Sequence, residues 1–329
     1  MRINKFSKII IFILIIFIII PIYIIFTPNS FSDSAKIVDI NKGMSTGEIT
    51  VLLKGENLIK SSLFFKIMCY MHGGSLKAGQ YELKANMNLW KMVGILKMGK
   101  VKLYKITIPE GFTLRQIAEL LEINNLIDKK KFMELCYDKE IIKKFDFIKS
   151  KSLEGFLFPD TYYLKKSIEE EDIVLLMIRR FNEIIEKNNI HELVKQKNIN
   201  LYDLIKLASL VEKEAKLGYE RQIISSVFLK RLKSRMKLES CASVLYALNN
   251  IGINKIHLRD ADLKINSDFN TYLHYGLPAT PICNSGLESI FAVLNPADTN
   301  YLYFVSKKDG THEFSTTLEE HLKAKRKWK

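Results

Sequence analysis

Two glutamates lie two residues apart in the segment 200–215, whose residues are spaced as in a helix. When successive residues are placed about 100° apart, the apolar side chains form a broad arc. Glu212 and Glu214 both fall inside this arc, on opposite flanks about 200° apart. Burial among apolar side chains favours the protonated form of a carboxyl group, which is the form that a general acid needs. Either glutamate would act alone or with a distant partner, unless each simply pairs with a lysine or arginine.

The same segment contains signals for the ends of the helix. Asn200, followed by Asp203, is a typical N-cap pair, and Gly218 is expected to end the helix. The spacing also predicts a polar face, made up of Lys206, Ser209, Lys213 and Lys216.

An aromatic segment precedes this helix at residues 153–162. Its glycine and proline, among many aromatic side chains, predict a packed turn between domains. Glu154 and Asp160 lie within it. They are candidates for substrate contact, but capping or turn roles are favoured for both.

The region before this turn repeats itself at an offset of 68 residues, with Gly43-Met44-Ser45 matching Gly111-Phe112-Thr113 and Asn57-Leu58-Ile59 matching Asn125-Leu126-Ile127. A weaker third copy begins at Asn86. Each copy predicts a short strand, a turn and a helix with a polar cap, the caps being Ser45, Asn88 and Thr113. Glu48 and Gln116 complete two capping boxes. Such β-α units form either a sugar-binding module or a packing scaffold, and periodicity alone favours a scaffold.

The N-terminus has the composition of a membrane-spanning helix. An uncharged run, Ile9–Phe26, follows Arg2, Lys5 and Lys8. At 1.5 Å per residue it would extend about 27 Å, enough to cross a bilayer core. A cleaved signal peptide is the rival interpretation, but residues 27–30 contain no small-x-small cleavage site. We therefore expect an uncleaved anchor, with the positive residues inside and the rest of the chain outside the cytoplasm.

Charge and cysteine content limit the classes of partner. The chain has 50 Lys and Arg against 36 Asp and Glu, a formal charge of +14. This excess suits an anionic partner, such as nucleic acid, lipid headgroups or cell-wall polymer. The alternative is a lysine-rich surface without a specific partner. The external location argues against nucleic acid.

The histidines show no metal-ligand spacing. Buried thiols, rather than disulfides or metal ligands, are expected at Cys69, Cys136, Cys241 and Cys283.

The residues around Glu212 resemble a known family. Leu207-Ala208-Ser209-Leu210-Val211-Glu212-Lys213-Glu214 is similar to the active-site helix of the endolytic murein transglycosylases, the MltG or YceG-like family. The other family motifs occur in the same order along the chain, at 108–111, 153–162, 226–232, 270–272, 276–278, 295–297, 301–305 and 312–314. The resemblance covers essentially the whole chain.

This resemblance implies a catalytic role for Glu212. The family cleaves the MurNAc–GlcNAc β-1,4 bond of peptidoglycan without water and leaves a 1,6-anhydro-MurNAc end. One carboxylate is enough, because the nucleophile is a hydroxyl of the substrate, whereas ordinary glycosidases use two. The lone buried glutamate predicted above fits this reaction, and no cofactor or metal is expected.

The resemblance also suggests which residues line the cleft. These are Asn270, Thr271, Tyr272, Gly276, Leu277, Pro278, His312 and Phe314. Polar and aromatic side chains are what sugar hydroxyls and ring faces require. His312 taken alone would more often be structural. Glu214 and Glu239 are secondary candidates.

Three segments depart from the family pattern. A Gln-Ser/Thr-Asp-Pro segment is replaced by Glu239-Ser240-Cys241-Ala242. Gly-Leu-Pro-Pro-Gly becomes Gly276-Leu277-Pro278-Ala279-Thr280, and Asn-Pro-Gly becomes Asn284-Ser285-Gly286. Loss of an Asp and three prolines near the cleft would loosen substrate positioning, with reduced or altered activity as the expected result.

We therefore predict an α+β protein with a transmembrane helix, a LysM-like repeat module and a mixed α+β catalytic domain. The expected boundaries are 1–8 cytoplasmic tail, 9–26 anchor, 27–35 linker, 36–150 repeat region and 151–329 catalytic domain. The predicted function is a lytic transglycosylase of the cytoplasmic membrane that terminates or trims nascent glycan strands. The alternative is a catalytically weak peptidoglycan-binding scaffold of the cell-wall synthesis machinery. Expected partners are glycan strands and the membrane, with cell-wall synthases and division proteins as further candidates. A pyridoxal-phosphate lyase is disfavoured, since no glycine-rich phosphate motif is present.

Overall fold

The computed structural model describes residues 5–166 and 168–328, so residues 1–4 of the predicted tail lie outside it. The first element is helix α1 (Lys5–Phe26), and its window Lys8–Phe26 has a mean hydropathy of 3.5. Among the described residues it is the helix long and apolar enough to cross a membrane, and the protein does not bury it. This agrees with the predicted anchor. The rest of the described chain mixes helices with short strands, which confirms the α+β class.

The chain beyond α1 divides into two compact units. Unit 1 contains the chain up to Lys105 together with Tyr163–Ile168, and unit 2 contains Ile106–Tyr162 and the chain from Glu169 onward. The division thus falls at 105/106, whereas the sequence predicts a boundary after residue 150. The second repeat copy belongs to unit 2 because its backbone is paired there: Gly111 N–H donates to Asn284 O, and Asn284 N–H donates to Phe112 O, both at 2.8 Å.

Unit 1 forms a small α/β core against which the end of α1 also packs. Its further elements are β1 (Ala35–Ile40), α2 (Thr46–Gly55), α3 (Ser62–Met71), β2 (Gly79–Lys84) and α4 (Leu89–Met98). Strands β1 and β2 pair antiparallel, with Val38 opposite Tyr81. Both residues are buried in a core that the three helices cover.

A second two-stranded sheet contains β3 (Leu103–Thr107) and β4 (Thr161–Lys165). The hydroxyl groups of Thr107 and Thr161 lie 2.9 Å apart across it. Two of the boundaries between the units fall within these strands, at 105/106 and 162/163.

Unit 2 is mainly helical. Its helices are α5 (Leu114–Ile123), α6 (Lys129–Cys136), α7 (Lys139–Ile142), α8 (Glu170–Lys187), α9 (Ile190–Gln196), α10 (Leu201–Glu214), α11 (Arg221–Lys233), α12 (Cys241–Asn250), α13 (Leu287–Leu294) and α14 (Leu318–Lys327). Strands β5 (Tyr303–Ser306) and β6 (His312–Ser315) pair antiparallel. Helix α10 packs against α11 and α13, so the segment that contains Glu212 lies within the helical layer.

The repeated sequences adopt the same local conformations. Ser45 and Thr113 each accept a hydrogen bond from the third helical residue and form complete capping boxes with Glu48 and Gln116, as predicted. Asn88 caps α4 in the third copy. The matched asparagines Asn57 and Asn125 both have φ of 54°, a left-handed conformation that asparagine tolerates. The sequence repeat therefore corresponds to a turn and a helix cap that occur again in the structure.

Helix α10 begins as predicted, because the Asn200 side chain accepts a hydrogen bond from the Asp203 N–H group. The predicted end is wrong. The helix ends at Glu214, since Ala215 has extended backbone angles (φ −79°, ψ 111°), and Gly218 instead begins a 3₁₀ turn. Lys216 therefore lies beyond the helix and outside its predicted polar face.

The predicted polar face also fails at Ser209, which is fully buried. Its hydroxyl donates to Lys206 O at 2.7 Å and accepts the Ile282 N–H at 3.0 Å. A hydroxyl that satisfies a neighbouring loop can be buried at little cost, because its hydrogen bonds are kept.

Segment 153–162 lies inside unit 2, with Leu153, Phe156 and Leu157 fully buried. The Phe156 ring packs edge-on against Phe181, with centroids 5.3 Å apart.

Three cysteines are buried as expected, but Cys241 is exposed at the start of α12. Its place in the first helical turn leaves it on the surface.

Candidate active site

Glu212 is held at the last turn of α10. Its side chain is 7% exposed, and its Oε2 atom accepts a hydrogen bond from the Gly286 N–H at 3.1 Å. Gly286 is the N-cap residue of α13, which packs against α10. The predicted burial of Glu212 is therefore confirmed, and it retains one backbone donor.

Arg221, the first residue of α11, faces three carboxylates. Its Nη2 atom lies 3.6 Å from Glu212 Oε1 and 3.9 Å from Glu110 Oε2. Its Nη1 atom lies 3.3 Å from Glu288 Oε2. One guanidinium therefore faces three carboxylates.

Glu110 is the neighbour of Glu212 that the sequence analysis missed as a site residue. Burial raises the pKa of Glu110, the charge of Glu212 raises it further, and Arg221 lowers it. The available signal was its position between Pro109 and Gly111, where a turn residue projects from the chain just after β3. Glu110 and Glu212 are far apart along the chain, so the sequence pattern does not show that they share Arg221.

Gly286 lies between the two glutamates. A Cβ atom added at this position would overlap the carboxylate of Glu110. The same residue donates its N–H to Glu212. Gly286 therefore allows both carboxylates to approach one stretch of backbone, and a larger residue would displace one of them.

A buried network fixes the segments that meet Glu212. Asn284 donates from Nδ2 to Phe112 O at 3.0 Å and to Glu154 Oε1 at 3.1 Å. Its Oδ1 accepts from the N–H groups of Gly155 and Leu157, at 3.0 and 2.9 Å. With four hydrogen bonds, the amide has no free capacity. Asn284 thus ties the loop before Gly286 to the segment after Glu110.

Glu154 has the capping role that the sequence favoured. It is fully buried and accepts the N–H of Leu114, the first residue of α5, at 3.1 Å, and the Tyr246 hydroxyl at 2.9 Å. Burial raises the pKa of Glu154 to about 8, although the hydrogen bonds from Tyr246 and Leu114 lower it. This carboxyl group therefore holds a proton near neutral pH. Asp160 pairs with Arg180 at 2.7 Å.

Glu214 faces the segment 239–243 and has a different setting from Glu212. It accepts the Ser240 hydroxyl at 2.5 Å and the Ala242 N–H at 3.4 Å, at the N-terminus of α12. Acceptance of the Ala242 N–H, a backbone donor in the first turn of α12, is a helix-capping role. Glu239 has a φ of 52° and pairs with Arg231 at 3.0 Å.

The predicted residues 270–272 join this second cluster. Asn270 is buried, with Nδ2 donating to Leu263 O and Ile265 O at 2.9 and 2.8 Å. Thr271 is also buried, and its Oγ1 accepts the Ser240 N–H at 2.9 Å. The Tyr272 hydroxyl lies 3.1 Å from Cys241 Sγ, and burial raises the pKa of Tyr272. Thr271 and Tyr272 therefore contact the start of α12, where Glu214 also binds.

The loop 276–278 is less constrained. Gly276 has a φ of 87° with open space around it, and Pro278 is buried. The next residues pack on α10, where the Tyr202 hydroxyl donates to Ala279 O at 3.0 Å. The structure therefore brings the altered segment 279–286 along α10 as far as Glu212.

His312 and Phe314 lie on β6. His312 contacts Glu220 twice: its N–H donates to Oε1 at 2.9 Å, and Nδ1 lies 2.7 Å from Oε2. Both side chains are almost fully buried. Glu220 directly precedes Arg221 in the chain. His312 therefore contacts the residue next to Arg221 and does not contact Glu212 itself. The Phe314 ring packs on Tyr301, with centroids 5.5 Å apart.

A cavity of about 810 Å³ opens elsewhere in unit 2, with Glu154 and Tyr246 among its lining residues. Its wall includes the rings of Tyr137, Tyr202 and Phe269 and the cations Arg115, Lys149 and Lys151. It does not include Glu212. The geometry around Glu212, rather than cavity size, identifies the candidate site, because convergent polar groups with defined partners are what chemistry requires.

Comparison with known proteins places this fold and site in a family. A model of the YceG-like family matches residues 38–327. The chain therefore belongs to the YceG-like family, as the motifs around Glu212 predict.

Individual relatives are similar over most of this chain. The endolytic murein transglycosylase of Bacillus subtilis (strain 168) is 35% identical over 314 residues, covering 90% of this chain and 86% of the relative. A protein of the same name from Streptococcus pneumoniae serotype 2 (strain D39) is 29% identical over 313 residues. That match covers 86% of this chain but 56% of the streptococcal protein. The solved structure of a YceG-like protein from Listeria monocytogenes has a TM-score of 0.61 and 33% identity, covering 89% of this chain and 99% of that one.

Proposed function

We propose that this chain is a peptidoglycan lytic transglycosylase in which Glu212 is the catalytic acid and base. The observation that supports this most directly is the setting of Glu212 at the end of α10. Its side chain is 7% exposed, holds one backbone hydrogen bond from Gly286 and shares Arg221 with Glu110. Relatives similar to this chain over most of its length are named endolytic murein transglycosylases.

The proposed reaction needs one proton on Glu212. The protonated carboxyl donates to the glycosidic oxygen as the bond from that oxygen to MurNAc C1 breaks, and GlcNAc leaves with a free 4-hydroxyl. The resulting carboxylate then takes the proton of the MurNAc C6 hydroxyl, whose oxygen bonds to C1. The products are a 1,6-anhydro-MurNAc end and a protonated Glu212, ready for another cycle.

The neighbours of Glu212 support the second half of this cycle. After the proton leaves, Arg221 and the Gly286 N–H stabilise the carboxylate. The proposed cycle uses Glu212 without a second catalytic carboxylate.

The test compares the full-length protein in detergent with Glu212→Gln on purified glycan strands, with mass spectrometry of the chain ends. We expect 1,6-anhydro ends from the parent and none from the variant, while circular dichroism shows the same fold. The matched control is Glu140→Gln, an exposed glutamate on α7 whose loss should leave activity unchanged.

Other outcomes would change the assignment. Reducing ends in place of anhydro ends would indicate hydrolysis, with Glu110, which shares Arg221 with Glu212, as the second carboxylate to test. An active Glu212→Gln variant would exclude Glu212. Binding to sacculi without any product, even at high protein concentration, would favour the alternative of a peptidoglycan-binding scaffold.

We further propose that α1 anchors the enzyme in the cytoplasmic membrane with unit 2 outside. In this arrangement unit 1 is a LysM-like module beside the nascent strand, and strand termination or trimming is the cellular role. Protease treatment of intact spheroplasts tests the orientation: unit 2 should be digested from outside. Association with cell-wall synthases and division proteins stays a prediction.

A further inference from the structure

Helix α3 has an apolar face that the protein leaves uncovered. Leu63, Ile67, Tyr70 and Met71 are 64%, 40%, 85% and 71% exposed. At 100° per residue they fall within an arc of about 100°. The opposite face is buried in the core of unit 1 through Phe65, Met68 and Cys69. A surface helix normally turns polar side chains outward, so an exposed apolar face of this size indicates a binding surface.

This face lies on the helix that meets the end of the proposed membrane span. Helix α1 packs against α3 and α4 within unit 1. The Phe26 ring stacks with Trp90 of α4, with centroids 6.2 Å apart. The Lys60 ammonium lies 4.6 Å from the centroid of the Tyr23 ring and donates to the Thr27 hydroxyl. Tyr, Trp and Lys at the end of a span are typical of the boundary between acyl chains and headgroups.

Unit 1 has an excess of positive charge. Residues 31–105 contain twelve lysines and five acidic residues. Lys66 lies on α3 itself and is exposed, beside Tyr70 on the helix surface. A positively charged apolar surface is attracted to anionic lipid headgroups and buries its apolar side chains beneath them. A partner protein would not require this excess of lysine.

We propose that the outer face of α3 lies in the headgroup layer of the outer leaflet, so that unit 1 binds the surface of an anionic bilayer. The inference rests on the proposed anchoring by α1, but it concerns a separate surface and is independent of the reaction at Glu212. The bilayer would cover the exposed side chains of α3, with lysines facing phosphate groups and Tyr70 at the interface.

The experiment uses the full chain in nanodiscs of phosphatidylcholine and phosphatidylglycerol. The natural tryptophans are removed by Trp90→Phe and Trp328→Phe, and a single reporter is introduced by Tyr70→Trp. Quenching by brominated lipids reports lipid contact, and quenching by iodide reports contact with water. Tyr163→Trp is the matched control, because Tyr163 is 61% exposed in unit 1 but lies on β4. Phe17→Trp, within α1, reports insertion of the span.

We expect the reporter at 70 to be quenched by brominated lipid at least about twofold more than the reporter at 163, and by iodide about twofold less. Replacement of phosphatidylglycerol by phosphatidylcholine should weaken the lipid quenching at 70. If position 17 is quenched by lipid but position 70 behaves like position 163, the docking of α3 is excluded while the anchor stands. Protection of position 70 from iodide without lipid quenching would show another occupant, such as a second copy, and would also overturn the proposal. Cleavage of glycan strands by the same preparations tests the enzymatic function separately.

Discussion

Glu110 and Glu212 share one cation, since Arg221 Nη2 lies 3.9 Å from an oxygen of the first and 3.6 Å from an oxygen of the second. The same two side chains meet at Gly286, which donates its N–H to Glu212 and leaves space for Glu110. A change at any one of these positions is therefore expected to move the others.

Gly286→Ala should reduce glycan cleavage by roughly 10-fold and destabilise unit 2 by at most about 1 kcal/mol, because the added methyl group meets only the end of the flexible Glu110 side chain. The added methyl group overlaps the Glu110 carboxylate and displaces it, which shifts the donor to Glu212. Product release and thermal unfolding of the full chain in detergent measure both effects. Gly94→Ala is the control, because nothing lies within 4 Å of a Cβ added there.

Removal of the obstructing carboxylate should relieve this strain. The double variant Glu110→Ala/Gly286→Ala should therefore be more stable than Gly286→Ala alone, a non-additive result expected for residues in contact. Equal stability of the two would show that the overlap with Glu110 is not the cause.

The stability of unit 2 should fall as pH rises from about 4.5 to about 8. Burial raises the folded-state pKa of Glu154 to about 8, above its ordinary value of 4.5, so the folded state binds the proton more tightly than the unfolded state. The resulting stability is fully present at low pH and is lost as pH rises through the folded pKa, amounting to roughly 3–5 kcal/mol. Glu154→Gln mimics the protonated form and should flatten the dependence of Tm on pH. An unchanged slope in the variant would exclude Glu154 as its source.

Asn284→Ala should lower the free energy of unfolding by about 2–5 kcal/mol and reduce cleavage. It leaves the buried N–H groups of Gly155 and Leu157 without the acceptor they share. Thermal unfolding and the product assay measure the two losses. Asn254→Ala, at an exposed asparagine, is the matched control and should change neither. A stable Asn284→Ala variant would show that ordered water replaces the amide.

His312→Ala should destabilise the protein by about 3–5 kcal/mol, because it leaves the buried Glu220 carboxylate without its closest partner. His312→Ala/Glu220→Gln should recover part of this loss, since no uncompensated charge remains. Denaturant unfolding of the single and double variants gives the interaction energy. If the losses of His312→Ala and Glu220→Gln simply add in the double variant, the two side chains act independently.

Local features of the fold were predictable from the sequence, because each depends on neighbours along the chain. Ser45, Asn88, Thr113 and Asn200 cap helices as predicted, through hydrogen bonds to backbone three residues away. The apolar arc of α10 likewise predicted the burial of Glu212, since helical periodicity determines which residues face the core.

Features made by distant segments were not predictable in this way. Ser209 is buried because Ile282, 73 residues later, donates to it. Glu110 approaches Glu212 through a turn whose position depends on the Asn284 network. Periodicity describes one element at a time, so it cannot give the partner that another element supplies.

The end of α1 is part of the folded structure of unit 1. Ile25 packs against its core, Phe26 stacks on Trp90, and Ser30 N–H donates to Ala85 O at 3.0 Å. Proteolytic release at residue 30 would remove two of these contacts and leave Trp90 without its stacking partner. A form of the protein released in this way would thus lack part of the packing of unit 1. Shortened forms made for biochemistry should therefore start before Tyr23.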